Sequence, residues 1–281
     1  MDVPGLLDAL AERVRAAGRL LVAFSGGVDS ALVAVVAAAE LGERAVAVTA
    51  VSASLPTAER SAARSFARRH GIAHVEVCTD ELDRAEYRRN DADRCFHCKS
   101  ALLDALAPLA ALSGAAVALG TNLDDLGDHR PGQRAAAARG AIAPLVEAGF
   151  GKREVRAVSA QLGLGTADKP ASACLSSRVA YGDPVTPEVL RRIEVAEAAV
   201  RALGFPVCRV RAHAGGTLAR LELPAEDLDR AAAARVGLDE AVRVAGFRFC
   251  ALDLQPFRSG RMNVLLGIPA APRGLLARVE P

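Results

Sequence analysis

Two thiols stand two residues apart in "RCFHCK" (94–99), Cys95 and Cys98, and a third, Cys174, lies in "KPASACLSSR" (169–178). A Cys-x-x-Cys pair by itself suits zinc, a redox disulfide or an iron–sulfur centre. Three cysteines fall short of a closed structural zinc site unless His97 or His129 joins them. They can, however, hold three irons of a [4Fe–4S] cluster and leave the fourth iron open. An open iron can carry cargo. The remaining cysteines, Cys78, Cys208 and Cys250, fall in apolar strand-like runs ("AHVEVC", "FPVCRV", "FRFCALDL") and are expected to be small buried hydrophobes.

A second constellation is "AFSGGVDS" (23–30), which follows an apolar strand-like run and opens a helical pattern. Gly26 and Gly27 permit close backbone approach, and successive amide N–H groups at a helix start face an anion. The hydroxyls of Ser25 and Ser30 add donors. The segment lacks the lysine of the Walker loop and the spacing of the dinucleotide fingerprint. It matches instead SGGxDS, the pyrophosphate-binding PP-loop of the ATP pyrophosphatase superfamily, whose members cleave ATP between the α- and β-phosphates to adenylate a carboxyl or carbonyl oxygen. That resemblance implies that Ser25, Gly26, Gly27, Val28, Asp29 and Ser30 bind ATP, with Asp29 helping to place Mg²⁺ against the charge of the leaving group. The acidic stretch "TNLDDLGDHRPG" (121–132) follows another strand-like run, at the edge where open α/β sheets collect ligands. Asn122, Asp124, Asp125 and Asp128 are therefore candidates for adenosine, metal or substrate; the plainer alternative is a solvated loop or a helix cap.

The elements that must carry these residues follow from periodicity. Strand-like runs at 19–26, 44–52, 73–78 and 115–122 alternate with helical patterns, which predicts an α/β fold with a doubly wound parallel sheet. A fifth strand is expected near "GAIAPL", and "KREVRAVSAQLG" (152–163) reads as a helix ending at glycine. Residues 167–187 lose periodicity and become rich in proline, serine and glycine, so a boundary is expected near the end of that loop, dividing the chain into 1–182 and 183–281. Beyond it come a helix (188–204), strands at 206–213 and 217–223 joined through "AGG", a helical stretch, and strands near 247–254 and 262–267. That order predicts a smaller α+β domain.

Composition bounds the function. With 35 Lys and Arg against 33 Asp and Glu in 281 residues, and aromatics at 4%, the chain offers neither a broad field nor stacking platforms for nucleic acid. No export signal leads the sequence, and the longest apolar stretch, 31–42, is interrupted by Glu40 and reads as a buried helix, not a membrane span. A cytoplasmic address follows, where structural disulfides are disfavoured.

Taken together, "AFSGGVDSALV", "RCFHCK", "GTNLDDLGDHRPG", "KPASACLSSRVAYGDPVT" and "RVRAH" resemble the LarE family of ATP-dependent sulfur transferases, with order and spacing kept over nearly the whole chain. The resemblance implies a role in making the nickel-pincer nucleotide cofactor. The enzyme would adenylate a carboxylate of pyridinium-3,5-biscarboxylic acid mononucleotide and replace AMP with sulfur. Some family members sacrifice a cysteine at the position of Cys174; others hold a [4Fe–4S] cluster on three cysteines resembling Cys95, Cys98 and Cys174, with sulfide on the open iron. All three thiols are present here, which points to the second kind. Its partners would be a small nucleotide substrate, the other enzymes of the cofactor's synthesis and further copies of itself.

Other residues join the candidate site. Arg209 and Arg211, two apart on one strand with His213 following, project to one side, and a pair of guanidinium forks suits the phosphate of a nucleotide. The alternative is a solvated strand face. Lys99 and Arg178 flank the thiols and are expected to stabilise acyl-adenylate or cluster charge, as is Arg130. Glu197 and Glu222 are candidates for metal or substrate contact, or else surface carboxylates. Three other readings stay open at this stage: an iron–sulfur tRNA thiolase, an amide-forming PP-loop ligase with structural zinc, and a nucleotide-binding iron–sulfur carrier without catalysis.

Overall fold

The structure is a computed structural model that describes residues 3–126, 131–170, 173–258 and 261–266. Asp128, His129 and Arg130 lie outside the described residues. Contacts divide the chain into two units, Met1–Arg88 with Asp93–Leu175, and Arg89–Ala92 with Ser176–Pro281.

The first unit runs α1 (Val3–Ala17), β1 (Leu20–Ala23), α2 (Val28–Leu41), β2 (Ala45–Val51), α3 (Thr57–Arg69), β3 (His74–Cys78), α4 (Ala85–Arg88), α5 (Arg94–Ser113), β4 (Ala116–Ala118), α6 (Leu123–Leu126), α7 (Pro131–Ala138), α8 (Pro144–Glu147) and α9 (Lys152–Gln161). Its strands pair in the order β3-β2-β1-β4, all parallel, with Leu20 opposite both Ala45 and Ala116. Side-chain alternation on β1 sets the two layers. Leu20 and Val22 enter a core with α1, α2, α3 and α9, whereas Leu21 joins Val48 and Leu106 of α5 on the opposite face. A sheet covered on both faces explains why α2 is apolar almost all round and buried along most of its length. This is the doubly wound α/β arrangement. The expected fifth strand is reduced to a single parallel bridge between Ala118 and Ile142.

The strand order has a functional consequence. From β1 the chain moves outward through β2 to β3, then returns to place β4 on the other side of β1. The loops leaving β1 and β4 therefore diverge from neighbouring strands, which opens a crevice at the carboxyl edge of the sheet. Residues 24–30 and 119–122 occupy it.

Among the described residues α5 alone has the length and apolar composition of a membrane-crossing helix. Here its Leu103 and Leu106 are buried beside the sheet, as in a core helix.

The second unit holds α10 (Pro187–Ala202), β5 (Arg209–His213), β6 (Leu218–Glu222), α11 (Leu228–Ala233), α12 (Arg235–Val244) and β7 (Phe249–Leu252), its strands ordered β5-β6-β7. Thr186 caps α10, its hydroxyl accepting from the Val189 N–H at 3.2 Å. β5 and β6 are antiparallel, and the turn between them runs through Ala214, Gly215 and Gly216, all at positive φ. Asn90 fastens residues 89–92 to this unit: fully buried, it donates through Nδ2 to the carbonyls of Ala180 (2.7 Å) and Asp183 (2.9 Å).

Two expectations are corrected. The stretch expected as a strand at 262–267 forms a 3-10 helix, Arg261–Leu266. Arg261 reaches back to the Asp253 carboxylate and Arg220 to the Met262 sulfur, and these tethers hold the segment in a turn where a strand would have to extend away. Cys78 is exposed, because β3 is the edge strand of its sheet and ends there; Cys250 is half-buried, and only Cys208 of the three is buried as expected.

Candidate functional site

Residues 25–30 form a tight turn between β1 and α2. Gly26 sits at φ +70°, which glycine adopts without strain, and a Cβ there would also press within 3.3 Å of Ala63. The Ser25 and Ser30 hydroxyls lie 3.1 Å apart, the Ser25 N–H donates to Ser30 Oγ, and Ser30 Oγ donates to the Gly27 carbonyl at 3.2 Å. α2 then begins at Val28, presenting its N-terminal amides to the crevice. From β4 the chain passes so near that glycine is required: a Cβ on Gly120 would stand 2.7 Å from the Ser30 nitrogen.

Asp29 is held from two directions. Asn122 Nδ2 donates to Oδ1 at 3.0 Å and Lys152 Nζ to Oδ2 at 2.5 Å. Asn122 is buried and also caps α6, its Oδ1 accepting from the N–H groups of Asp124 and Asp125 while Asp125 accepts from the Asn122 N–H. The cap reading of this stretch therefore holds for Asn122, whose side-chain amide also reaches Asp29. Asp124 in turn accepts from the Lys152 N–H, which pins the start of α9 to the crevice. On the other side Lys169 Nζ donates to the Gly26 carbonyl at 2.9 Å and pairs with Glu59 at 2.7 Å.

Ser25, Asp29, Ser30, Glu59, Lys152 and Lys169 line a cleft of about 450 Å³ that also takes in Phe24, Lys99, Thr121 and Pro170. Sequence reading missed Lys152, Lys169 and Glu59. Lys169 stands five residues before Cys174 in a quoted motif, and Lys152 follows a glycine at a predicted helix start; both cations become legible only once the fold turns them toward residues 26 and 29.

Different devices place the three thiols. Cys95 and Cys98 occupy the first turns of α5, and Gly132 of α7 lets that helix approach, since a Cβ there would meet the Cys95 carbonyl at 3.2 Å. Cys174 is brought across by its neighbour: the Leu175 N–H donates to the Ser54 carbonyl at 2.8 Å, tying the loop to the end of β2. Burial pushes the Cys98 thiol up to about 12, with the charges of Cys174, Glu81 and Cys95 adding and Lys99 opposing. The donor set suits a cluster of several irons, in which each cysteine takes a different metal. Among the described residues no three His, Cys, Asp or Glu side chains converge on a single ion. Lys99 belongs to both places, lining the cleft and following Cys98 in the chain.

A family model described as asparagine synthase matches residues 5–116, the span from α1 to β4 that carries residues 25–30. The "Uncharacterized protein slr1717" of Synechocystis sp. is 47% identical over 252 residues, covering 88% of this chain and 93% of that one. The pyridinium-3,5-bisthiocarboxylic acid mononucleotide synthase of Lactiplantibacillus plantarum is 38% identical over 247 residues, covering 87% of this chain and 89% of its own. The chain belongs to the LarE family. It is an ATP-dependent sulfur transferase with a PP-loop.

In this LarE-family chain the second unit carries a buried ionic face. Arg209, Arg211 and His213 share one side of β5, opposite Glu222, Arg220 and Leu218 of β6. Arg211 is almost fully buried and committed: Nε and Nη2 donate to Glu222 at 2.9 and 2.7 Å, and Nη1 to the Ser177 carbonyl at 3.0 Å. Arg209 lies 5.1 Å over the Phe257 ring and donates to the Cys208 carbonyl. Neither proposed carboxylate is a surface group. Glu222 is fully buried with Arg211 and Arg220, and Glu197 is buried against Arg178 at 2.8 Å, with Arg201 and the Val210 N–H also donating to it. Although burial works against ionisation, the Arg178 hydrogen bond and charge hold Glu197 below its ordinary value. Arg178 is therefore paired inside its own unit.

Proposed function

We propose that this enzyme adenylates a carboxylate of pyridinium-3,5-biscarboxylic acid mononucleotide with ATP and replaces AMP by sulfur, in the synthesis of the nickel-pincer nucleotide. The relative from Lactiplantibacillus plantarum, a pyridinium-3,5-bisthiocarboxylic acid mononucleotide synthase, supports the substrate class. The observation that carries the reading is the adjacency of two chemistries in one unit: Lys99, next in the chain to Cys98, lines the cleft together with Ser25, Gly27, Asp29 and Ser30, and the Leu175–Ser54 hydrogen bond ties the loop bearing Cys174 to the segment after β2.

In this reading the amides and hydroxyls of residues 25–30 bind the β- and γ-phosphates. Lys152 and Lys169 offset phosphate charge, and Asp29 turns from Lys152 toward Mg²⁺ when the nucleotide enters. The substrate carboxylate attacks the α-phosphorus and pyrophosphate leaves. AMP is then a far better leaving group than oxide, which makes the carboxyl carbon open to a sulfur nucleophile. Cys95, Cys98 and Cys174 would hold a [4Fe–4S] cluster, which when bound supplies that sulfur. Lys99 steadies negative charge between the two places, and Arg209 offers a fork to the nucleotide phosphate. We further propose residues 1–182 as the catalytic domain and 183–281 as the substrate and assembly domain of a cytoplasmic homo-oligomer; exposed Phe249, Leu254, Val264 and Leu265 supply apolar surface for assembly.

The test is Cys174→Ala, prepared anaerobically beside the unmodified protein with iron and labile sulfide measured in each. Substrate-dependent AMP and pyrophosphate formation should persist while thiolated product disappears. Normal thiolation by the variant ends the proposal.

A further inference from the structure

Glu81 belongs to none of the motifs, yet it is the least satisfied acid beside the thiols. It opens the short 3-10 turn Glu81–Asp83 after β3, at the same carboxyl edge as the cleft, and is 2% exposed. Its Oε1 accepts from the hydroxyls of Ser52 and Ser54, the latter at 3.1 Å. Its Oε2 is buried and has no hydrogen-bond partner among the described residues. Ser54 is also the residue whose carbonyl receives the Leu175 N–H, so one short turn after β2 anchors both Glu81 and the loop bearing Cys174. The charge of Glu81 is also among the causes that raise the Cys98 thiol.

A buried carboxylate oxygen left without a donor is costly, and the cost is commonly met by a cation. Bound iron would supply such a charge beside three thiols. We propose that Glu81 is a fourth protein ligand of the metal centre: Oε2 caps the iron that the three cysteines leave open, until sulfide takes its place. The inference rests on the cluster reading above. The exchange is a simple ligand substitution. The iron–oxygen bond breaks with its electron pair returning to the carboxylate, and the sulfur of hydrosulfide donates a pair to the same iron. No electron moves between the metal and its ligands, and the proton stays on sulfur. The two serine hydroxyls hold Oε1 in place, so the displaced carboxylate stays poised to return after the sulfur has been spent, shielding the iron from other ligands.

The experiment uses full-length protein reconstituted anaerobically with ⁵⁷Fe, comparing the unmodified chain with Glu81→Gln, Glu81→Ala and Ser54→Ala. Iron and sulfide are assayed, Mössbauer spectra are taken without added hydrosulfide, and hydrosulfide is then titrated against the reduced cluster by electron paramagnetic resonance. The unmodified protein should show one iron distinct from the other three. That signature should change in both Glu81 variants, and their half-saturating hydrosulfide concentration should fall by about tenfold or more, as removal of a competing bound state predicts. Ser54→Ala, which disturbs Oε1 and leaves Oε2 untouched, should keep the distinct iron. Clusters with identical spectra and identical hydrosulfide midpoints in the unmodified and Glu81→Gln proteins overturn the Glu81 assignment alone. Ser54→Ala reproducing Glu81→Gln overturns it in favour of a merely structural carboxylate. Absence of iron from the unmodified protein overturns this inference together with the cluster.

Discussion

The α-carbon of Gly120 faces the backbone of Ser30 at a distance that leaves no room for a side chain: a Cβ would stand 2.7 Å from the Ser30 nitrogen and 3.0 Å from its Cα. The loops after β1 and β4 are thereby locked together at the point where the sheet order reverses. Gly120→Ala must push α2 away from β4, and backbone cannot yield as a flexible side chain would. The expected cost is about 1–3 kcal/mol of stability, as for overpacking of a close-fitted site. A lowered thermal midpoint should accompany a raised KM for ATP. An unchanged midpoint and KM would show that the two loops tolerate separation.

Lys152 is the cation on Asp29, with Asn122 as its other partner. Lys152→Ala leaves the carboxylate uncompensated opposite incoming phosphates and takes one positive charge from the cleft. A charge-assisted contact of about 1.5–3 kcal/mol corresponds to roughly a 10- to 100-fold loss in kcat/KM for ATP. Pyrophosphate release under single-turnover conditions reads this directly. Lys152→Arg should recover part of it.

Arg211 and Glu222 form a buried pair at 2.7 Å, Glu222 being wholly inaccessible. Removing one member leaves a buried charge with poorer compensation, which costs about 3–5 kcal/mol. Arg211→Ala should therefore lower the denaturant midpoint strongly, and Arg211→Met paired with Glu222→Leu should be far less damaging than either change alone. Additive losses in that cycle would show that the pair carries no coupling. Arg220, 3.0 Å from Glu222, sets how much of the charge remains neutralised.

Glu76 on β3 lies between Arg60 and Arg64 of α3, and their hydrogen bonds hold its carboxyl down to about 2 from an ordinary 4.5. Its pKa is lower in the folded chain, so its stabilising contribution is complete above about 4.5 and drains away as pH falls through about 2. The stability gap between the unmodified protein and Glu76→Gln should be constant near neutrality and narrow across that window. Because both arginines are well exposed, added salt should shrink the gap at every pH. Denaturant midpoints measured from pH 7 down to the acid limit test the sign.

Local patterns made much of this molecule legible before its fold was known. The glycines and serines of residues 25–30 prescribe a tight strand-to-helix turn, because each requirement, positive φ at Gly26 or a hydroxyl at Ser25, is met within a few bonds of the backbone it serves. Strand and helix periodicities likewise prescribed a doubly wound sheet and a smaller second sheet. The Cys-x-x-Cys pair needed no more than one helical turn to bring Cys95 and Cys98 together. What tertiary structure alone decided is which distant groups complete these local devices. Lys152 reaches Asp29 across 123 positions and Lys169 reaches Gly26 across 143. Cys174 arrives by a backbone hydrogen bond from Leu175 to Ser54, which leaves no mark on either residue's type. Glu197 and Glu222 look like surface acids in one dimension and are buried counter-charges in three. The physical reason is common to all of them: periodicity and turn chemistry act over a few residues, whereas a buried charge takes its partner from whatever chain segment packing brings alongside.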